Sequence, residues 1–389
     1  MKIINLDHIS SKPLIPEVKK AMIDAINQDY ANPSSQHKKG EEAAEALEKA
    51  RESIAGLIHA ENAKEIVFTS GGTESVNQAI KGAAWANAEK GKHIVTTNIE
   101  HNAVIRSLRR LKSQGFKITS VSVDSKGRVN PKEVAEAITD ETILVSVMHS
   151  NNETGTIEPI QEIAEITKPK KIIFHTDAVD SVGIVPMDVQ KLGVDLLSFA
   201  SNTFYGPTGV GGLYVRRGTM IWPLFDGGVQ EGNKRAGTEN LLGIIGMGVA
   251  ADHAKKNMDL RLQHLLKLKN KLVSDLPNYI DEYIINTPME YSLPNVVSLS
   301  VKYVEGESVM LMMDDENIAI STRSACATGS LRASHVLMSI GLDHADAQGT
   351  LVICYGVDNT EEDIATFLKA LKNSVKTLRD ISPLYTKTH

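Results

Sequence analysis

The strongest constraint on this chain is an alternation. From about residue 40 to about residue 215, apolar stripes of helical period take turns with short β-branched runs. Ala44, Leu47, Ala50, Ile54 and Leu57 recur at spacings of three and four, so Glu41–Ala60 reads as an amphipathic helix. Strand-like runs follow at Glu65–Thr69, His93–Thr97, Ile118–Val123, Ile143–His149, Lys171–His175 and Asp195–Phe199. Helix-sized intervals rich in Ala, Lys and Glu separate them. Apolar strands flanked by helices imply an α/β domain whose mostly parallel sheet is covered on both faces. Ligands in such sheets sit beyond the carboxyl ends of the strands.

The 389 residues suffice for two cores. A helical stretch from Leu241 to Leu276 leaves the first domain for a second, with strands at Asn295–Val301, Ile318–Ser321 and Thr350–Tyr355. Thr360-Glu-Glu-Asp363 opens a closing helix, as an N-cap followed by an acidic first turn. These signals place a large domain at residues 15–260 and a small one at 1–14 and 261–389. A formal net charge of −6 leaves no electrostatic footprint for nucleic acid or an anionic membrane. No apolar run reaches membrane-spanning length, and the opening Met-Lys-Ile-Ile-Asn-Leu-Asp lacks the pattern of a signal peptide. Two cysteines, Cys326 and Cys354, exclude a disulfide scaffold, and a reduced, cytoplasmic setting is expected.

Ser70-Gly-Gly-Thr-Glu-Ser-Val-Asn77 follows a strand and opens a helix. Its glycines let the backbone approach an anion, and the helix start supplies free N–H groups. Alone, such a turn is more often just a turn. Further motifs follow in order: Glu100-His-Asn-Ala-Val104, Asn151-Asn-Glu-Thr-Gly155, His175-Thr-Asp-Ala-Val179 and the segment Asp195–Arg217, DLLSFASNTFYGPTGVGGLYVRR. Together they resemble the NifS/IscS-type cysteine desulfurases, pyridoxal phosphate (PLP) enzymes of the class V aminotransferase family. The likeness runs from Leu6-Asp-His to Asn359-Thr-Glu-Glu-Asp363, nearly the whole chain. It implies the PLP-transferase fold of type I, with a seven-stranded sheet, a smaller α+β domain and a homodimer. It implies that Gly72 and Thr73 belong to a phosphate loop, that His101 stacks on the pyridine ring and that Asp177 pairs with the ring nitrogen. Asn152 would face the ring edge and a substrate carboxylate. Thr238, within Glu231-Gly-Asn-Lys-Arg-Ala-Gly-Thr-Glu-Asn240, would reach the other protomer's phosphate.

The departures from the family cluster. Where it has its Schiff-base lysine, this chain has Thr203, whose hydroxyl cannot form an imine with an aldehyde. Ala200 and Asn202 replace a serine and a histidine that serve the phosphate, and Thr208 replaces a second lysine. Asp180 stands where a glutamine donates to the cofactor's phenolic oxygen. Val352 and Val357 occupy two arginine positions, the first of which grips the substrate carboxylate in the family. Valine cannot pair with a carboxylate. The resulting expectation is a pocket without covalent PLP, the cofactor being absent or held non-covalently.

Ile318-Ala-Ile-Ser-Thr-Arg-Ser-Ala-Cys-Ala-Thr-Gly-Ser330 resembles the family's nucleophile loop. Cys326 is thus the candidate persulfide carrier or iron–sulfur cluster ligand, and Arg323 beside it would favour the thiolate. His101 and the two aspartates, Asp177 and Asp180, are acid–base candidates. Cys354, inside an apolar strand, reads as core. The function expected is sulfur transfer or iron–sulfur cluster assembly through the Cys326 loop by a degenerate desulfurase-like protein. A scaffold or sulfur-acceptor protein would be its partner, with a cluster possible at their interface. The alternatives are a non-catalytic subunit of a larger complex, a remodelled pocket with a new activity, and a desulfurase using non-covalent PLP. A co-purifying partner, a ligand carried through purification and sulfide release would respectively distinguish them.

Overall fold

The computed structural model describes residues 3–10, 12–322, 333–382 and 385. Cys326 and Arg323 lie outside the described residues. Besides β1 (Ile4–Asn5), the strands β2 (Ile66–Thr69), β3 (His93–Thr97), β4 (Lys117–Val121), β5 (Thr142–Ser146), β6 (Ile173–Asp177), β7 (Leu196–Ala200) and β8 (Gly211–Val215) occur in the first half. The last seven form one sheet in the order β2-β8-β7-β6-β5-β3-β4. From β4 to β7 every neighbour is parallel, while β8 runs antiparallel to both β2 and β7. The six expected strands are all present, with ends displaced by no more than three residues.

Burial explains the pattern. β2, β3, β5, β7 and β8 are buried at every position, as strands covered by helices on both faces must be. β4 is an edge strand and turns Lys117 and Ser120 to solvent, which discourages pairing with another chain. β8 has a weak strand signal because Gly211 and Gly212 lead it. A Cβ on Gly212 would stand 2.2 Å from Cζ of Phe199, so the aromatic ring of β7 needs a glycine there. In the centre of the sheet, His175 of β6 spans both neighbours. Its Nδ1 meets Ser146 Oγ of β5 at 2.9 Å and its Nε2 meets Ser198 Oγ of β7 at 2.9 Å. Burial lowers its pKa to about 3, so the ring is neutral.

The second half contains β9 (Tyr283–Ile285), β10 (Val296–Val301), β11 (Ile318–Ala319), β12 (Ser321–Thr322) and β13 (Thr350–Cys354). Four of these form an antiparallel sheet ordered β12-β13-β10-β9, and β11 pairs in parallel with β1. The strand expected over Ile318–Ser321 is therefore divided at Ile320 between two sheets. The expected helical stretch also divides, into Leu241–Lys256 and Met258–Asp275. At the junction the backbone N–H and Nδ2 of Asn257 both donate to His253 O, at 3.1 and 2.8 Å, and close the first helix. That helix lies against Lys38–Ile58. Its Gly248 permits the close approach, since a Cβ there would meet Ala50 Cα at 2.8 Å. The last helix, Glu361–Ile381, carries the expected N-cap as a full capping box between Thr360 and Asp363. No described helix is long and apolar enough to cross a membrane.

Candidate functional site

The carboxyl ends of β2, β3, β6 and β7, with the loop that follows β5, converge on a cavity of about 360 Å³. This is the size range of small-ligand sites. Gly72, Thr73, His101, Asn152, Asp177, Asp180 and Thr203 all line it, as do Ala200 and Asn202. Seven candidates that are scattered over the sequence are thus brought together. Ile9, Ser10, Val76 and Val179 also line it and were missed; Val76 and Val179 sit inside the motifs, but an apolar side chain there carries no chemistry that singles it out.

Each wall has a local cause. After β2 the chain turns at Gly71, whose φ of 146° and ψ of 179° suit glycine alone, and enters the helix Gly72–Asn77. Helical structure continues to Ala86 through a π-turn over Gln78–Gly82. The first N–H groups of that run therefore open toward the cavity. Glu74 steadies the turn by accepting from Ser70 N at 2.8 Å and from Arg235 Nε at 3.0 Å. His101 caps the helix Asn102–Lys112, with Nδ1 accepting from Ala103 N at 3.1 Å, so the proton of the neutral ring sits on Nε2. Asn151 fixes the loop that presents Asn152: its Nδ2 donates to Ile99 O, and its Oδ1 accepts from the backbone of Glu153 and Thr154.

Asp177 ends β6 and is 5 % exposed. Burial pushes its carboxyl up to about 7, the Val179 N–H at 3.1 Å pulls it back in part, and the charge of Asp180 adds to the rise. No positive charge among the described residues contributes to that balance. Behind His101, burial likewise raises Glu100 to about 8, although Thr97 Oγ1 and Met148 N both donate to its Oε1. A buried acid such as Asp177 suits a ligand with a basic nitrogen that can take up its proton and stay paired with the carboxylate. The chemistry of the cavity therefore fits a phosphorylated pyridine, with open backbone N–H groups at one end and the Asp177 carboxyl at another.

The floor is different. Ser201–Phe204 forms a 3₁₀ turn, and Thr203 Oγ1 donates back to Ala200 O at 2.9 Å. The hydroxyl is spent on the local backbone, and Ala200 offers no donor. Thr238 is not brought to this cavity. It is exposed beside a separate small hollow with Ser70, Glu231 and Arg235, and Asn32 Nδ2 donates to its Oγ1 at 3.4 Å. Val352 is fully buried in β13 opposite Ser298 and Ser321, away from the cavity lining. Cys354 is buried in the same strand and accepts from Asn295 Nδ2 at 3.3 Å. The Cys326 candidate falls outside the described residues, and no group of residues able to hold a metal ion is found among those described.

One contact had no sequence signal at all. Arg51 grips Glu231 with two hydrogen bonds of 2.7 and 2.8 Å, both side chains being nearly inaccessible. The same Glu231 accepts from Phe68 N of β2 at 2.7 Å. The segment that carries Thr238 is thereby fastened to the strand that feeds the Ser70–Asn77 turn.

The sequence pattern of the class V aminotransferases matches residues 4–367. Cysteine desulfurase IscS of Dictyoglomus turgidum is 47% identical over 380 residues, which is 98% of this chain and 96% of that relative. Cysteine desulfurase IscS of Methanosarcina thermophila is 44% identical over 100% of this chain and 96% of its own length. Among solved structures, a NifS-like protein superposes with a TM-score of 0.91 at 37% identity, covering 97% of this chain and 100% of that one. SspA in complex with cysteine superposes with a TM-score of 0.79 at 33% identity, covering 91% and 99%. These likenesses overturn the expectation of a pocket without covalent PLP, the cofactor being absent or held non-covalently: cysteine desulfurases are PLP-dependent, and the match is nearly full-length. That expectation gave too much weight to Ala200, Asn202 and Thr203 and too little to the walls that do fit the ring and phosphate. The chain belongs to the class V aminotransferase family.

Proposed function

We propose that this chain is a PLP-dependent sulfur-transfer protein of the cysteine desulfurase type, acting as a homodimer and passing sulfur toward iron–sulfur assembly through Cys326. The observation that carries the reading is the convergence of Gly72, Thr73, His101, Asn152 and Asp177 on one cavity at the ends of parallel strands. Gly72 and Thr73 would hold the phosphate, His101 would cover the ring face, and Asp180 would stand at the phenolic edge. PLP, when bound, supplies an electron sink for chemistry at the amino-acid Cα. Asp177 holds a proton near neutral pH because burial favours its uncharged form. It can yield that proton to an arriving ring nitrogen and remain beside it as the paired carboxylate. Thr238, exposed on its fastened segment, would serve the cavity of a second copy.

A second reading is favoured by one observation: Val352 is fully buried and offers a substrate carboxylate nothing. Here Cys326 takes sulfur from a persulfidated donor protein and not from the free amino acid. Both are tested by loading the purified protein with PLP, removing the excess and adding L-cysteine. Persulfide on Cys326 is then followed by mass spectrometry together with sulfide release. The first reading expects retained PLP and persulfide from free cysteine. Retained PLP with persulfide only from a protein donor selects the second. Failure of both arms removes the sulfur-transfer role.

A further inference from the structure

Lys12 is 6 % exposed, a rare condition for a lysine, and it stands next to the floor of the cavity. Ile9 and Ser10, just before it in the chain, line the cavity. Its backbone N–H donates to Asn202 O at 3.2 Å, so it is one hydrogen bond away from the turn that carries Thr203. Its Nζ donates to His8 O at 3.0 Å and lies 6.0 Å from the ring centroid of Tyr205. Over the same ring, at 5.0 Å, lies the Arg261 guanidinium. Burial holds the Lys12 amine below the ordinary lysine range; Cys354 and then the Asp180 carboxylate on the cavity wall oppose this, and the Arg261 cation reinforces it. A lysine that is desolvated and set near another cation is a lysine prepared as a nucleophile.

We propose that Lys12 Nζ supplies the amine that Thr203 lacks and forms the covalent link to an aldehyde cofactor in this cavity. The proposal rests on the PLP reading above. In the structure Nζ is turned to His8 O, so the link requires the flexible four-carbon stem to leave that acceptor and turn to the cavity that Ile9, Ser10 and Asn202 line beside it. The ammonium first sheds a proton to solvent in the cavity. The neutral nitrogen then gives its lone pair to the aldehyde carbon, and a carbon–nitrogen bond forms. The aldehyde oxygen takes the two remaining nitrogen protons and leaves as water, so a carbon–nitrogen double bond stands where the carbonyl was. No oxidant or reductant is consumed.

The test uses the full-length protein incubated with PLP, freed of excess by gel filtration and reduced with sodium borohydride, which delivers hydride to that double bond and fixes it as a secondary amine. Peptide mass mapping then locates the adduct. The expected result is a phosphopyridoxyl group on the peptide containing Lys12, lost in Lys12→Arg. Cofactor retention in Lys12→Arg should fall by roughly tenfold or more, the effect of one strong contact. Retained cofactor with the adduct on another lysine, or with no adduct, overturns the role of Lys12 and leaves the PLP reading intact. No retained cofactor overturns both. Because the mapping is made on the unaltered chain, misfolding of the variant does not change which lysine is identified.

Discussion

The turn at Ser70–Asn77 and the floor at Ala200–Thr203 face the same cavity and are held in opposite ways. The turn is fastened from outside by charged groups: Glu74 to Arg235, and Arg51 to Glu231, which also takes the Phe68 N–H. The floor is fastened to itself, with Thr203 Oγ1 returned to Ala200 O. One region is held through distant charged contacts, whereas the other is closed by a side chain bonded to its own turn. Shape and chemistry at one site are therefore separable, and the comparison can be broken by substitutions on either side of it.

The largest effect is expected from Arg51→Ala. It would leave the Glu231 carboxylate buried and unpaired, at a cost of ~3–5 kcal/mol in urea unfolding. A loss far below this would mean that the clasp is ornamental. Next comes Asp177→Asn, which removes a charge-assisted contact to the ring nitrogen worth ~1.5–3 kcal/mol and should weaken PLP retention by roughly one to two orders of magnitude in equilibrium dialysis. Unchanged retention would place the ring elsewhere.

The third concerns pH. Burial raises Glu100 to about 8, so the folded chain keeps a proton that the unfolded chain has released above the usual glutamate range. The stability this contributes is complete below the unfolded pKa and is lost as pH rises through about 8. Between about pH 6 and about pH 8 the parent should lose up to ~1.4 kcal/mol per pH unit through this group, and Glu100→Gln should show a shallower slope. Identical slopes would show that the carboxyl is already ionised. Smallest is Thr203→Ala, which deletes a single hydrogen bond worth ~0.5–1.5 kcal/mol and should leave sulfur transfer unchanged. A collapse of transfer in that variant would make Thr203 a chemical participant and erase the contrast with the turn.

Much of the fold was legible because buried strands write themselves as β-branched runs. His93–Thr97 is found at the expected residues. The antiparallel β8 was not, since its leading glycines answer to the Phe199 ring and not to strand preference. Nor was the break at Asn257, where a side chain returns to its own helix at a place with neither glycine nor proline. At the site, the wall residues His101, Asn152 and Asp177 could be read from motif order. Lys12 could not, because a lysine in a loop-like segment looks like surface until the fold buries it. The cofactor expectation rested on the floor positions Ala200, Asn202 and Thr203 and set aside the walls that share the same cavity.

The hydrogen-bonded histidine in the middle of the sheet has a further consequence. A parallel sheet whose strands are apolar on both faces has little to stop one strand from sliding along another. His175 acts as a pin through three strands, because any slip of β5 or β7 would strand a neutral imidazole without partners in the dry interior. Asp177 stands two residues beyond that pin, so the alignment that aims it into the cavity is set by a polar thread and not by the apolar packing around it.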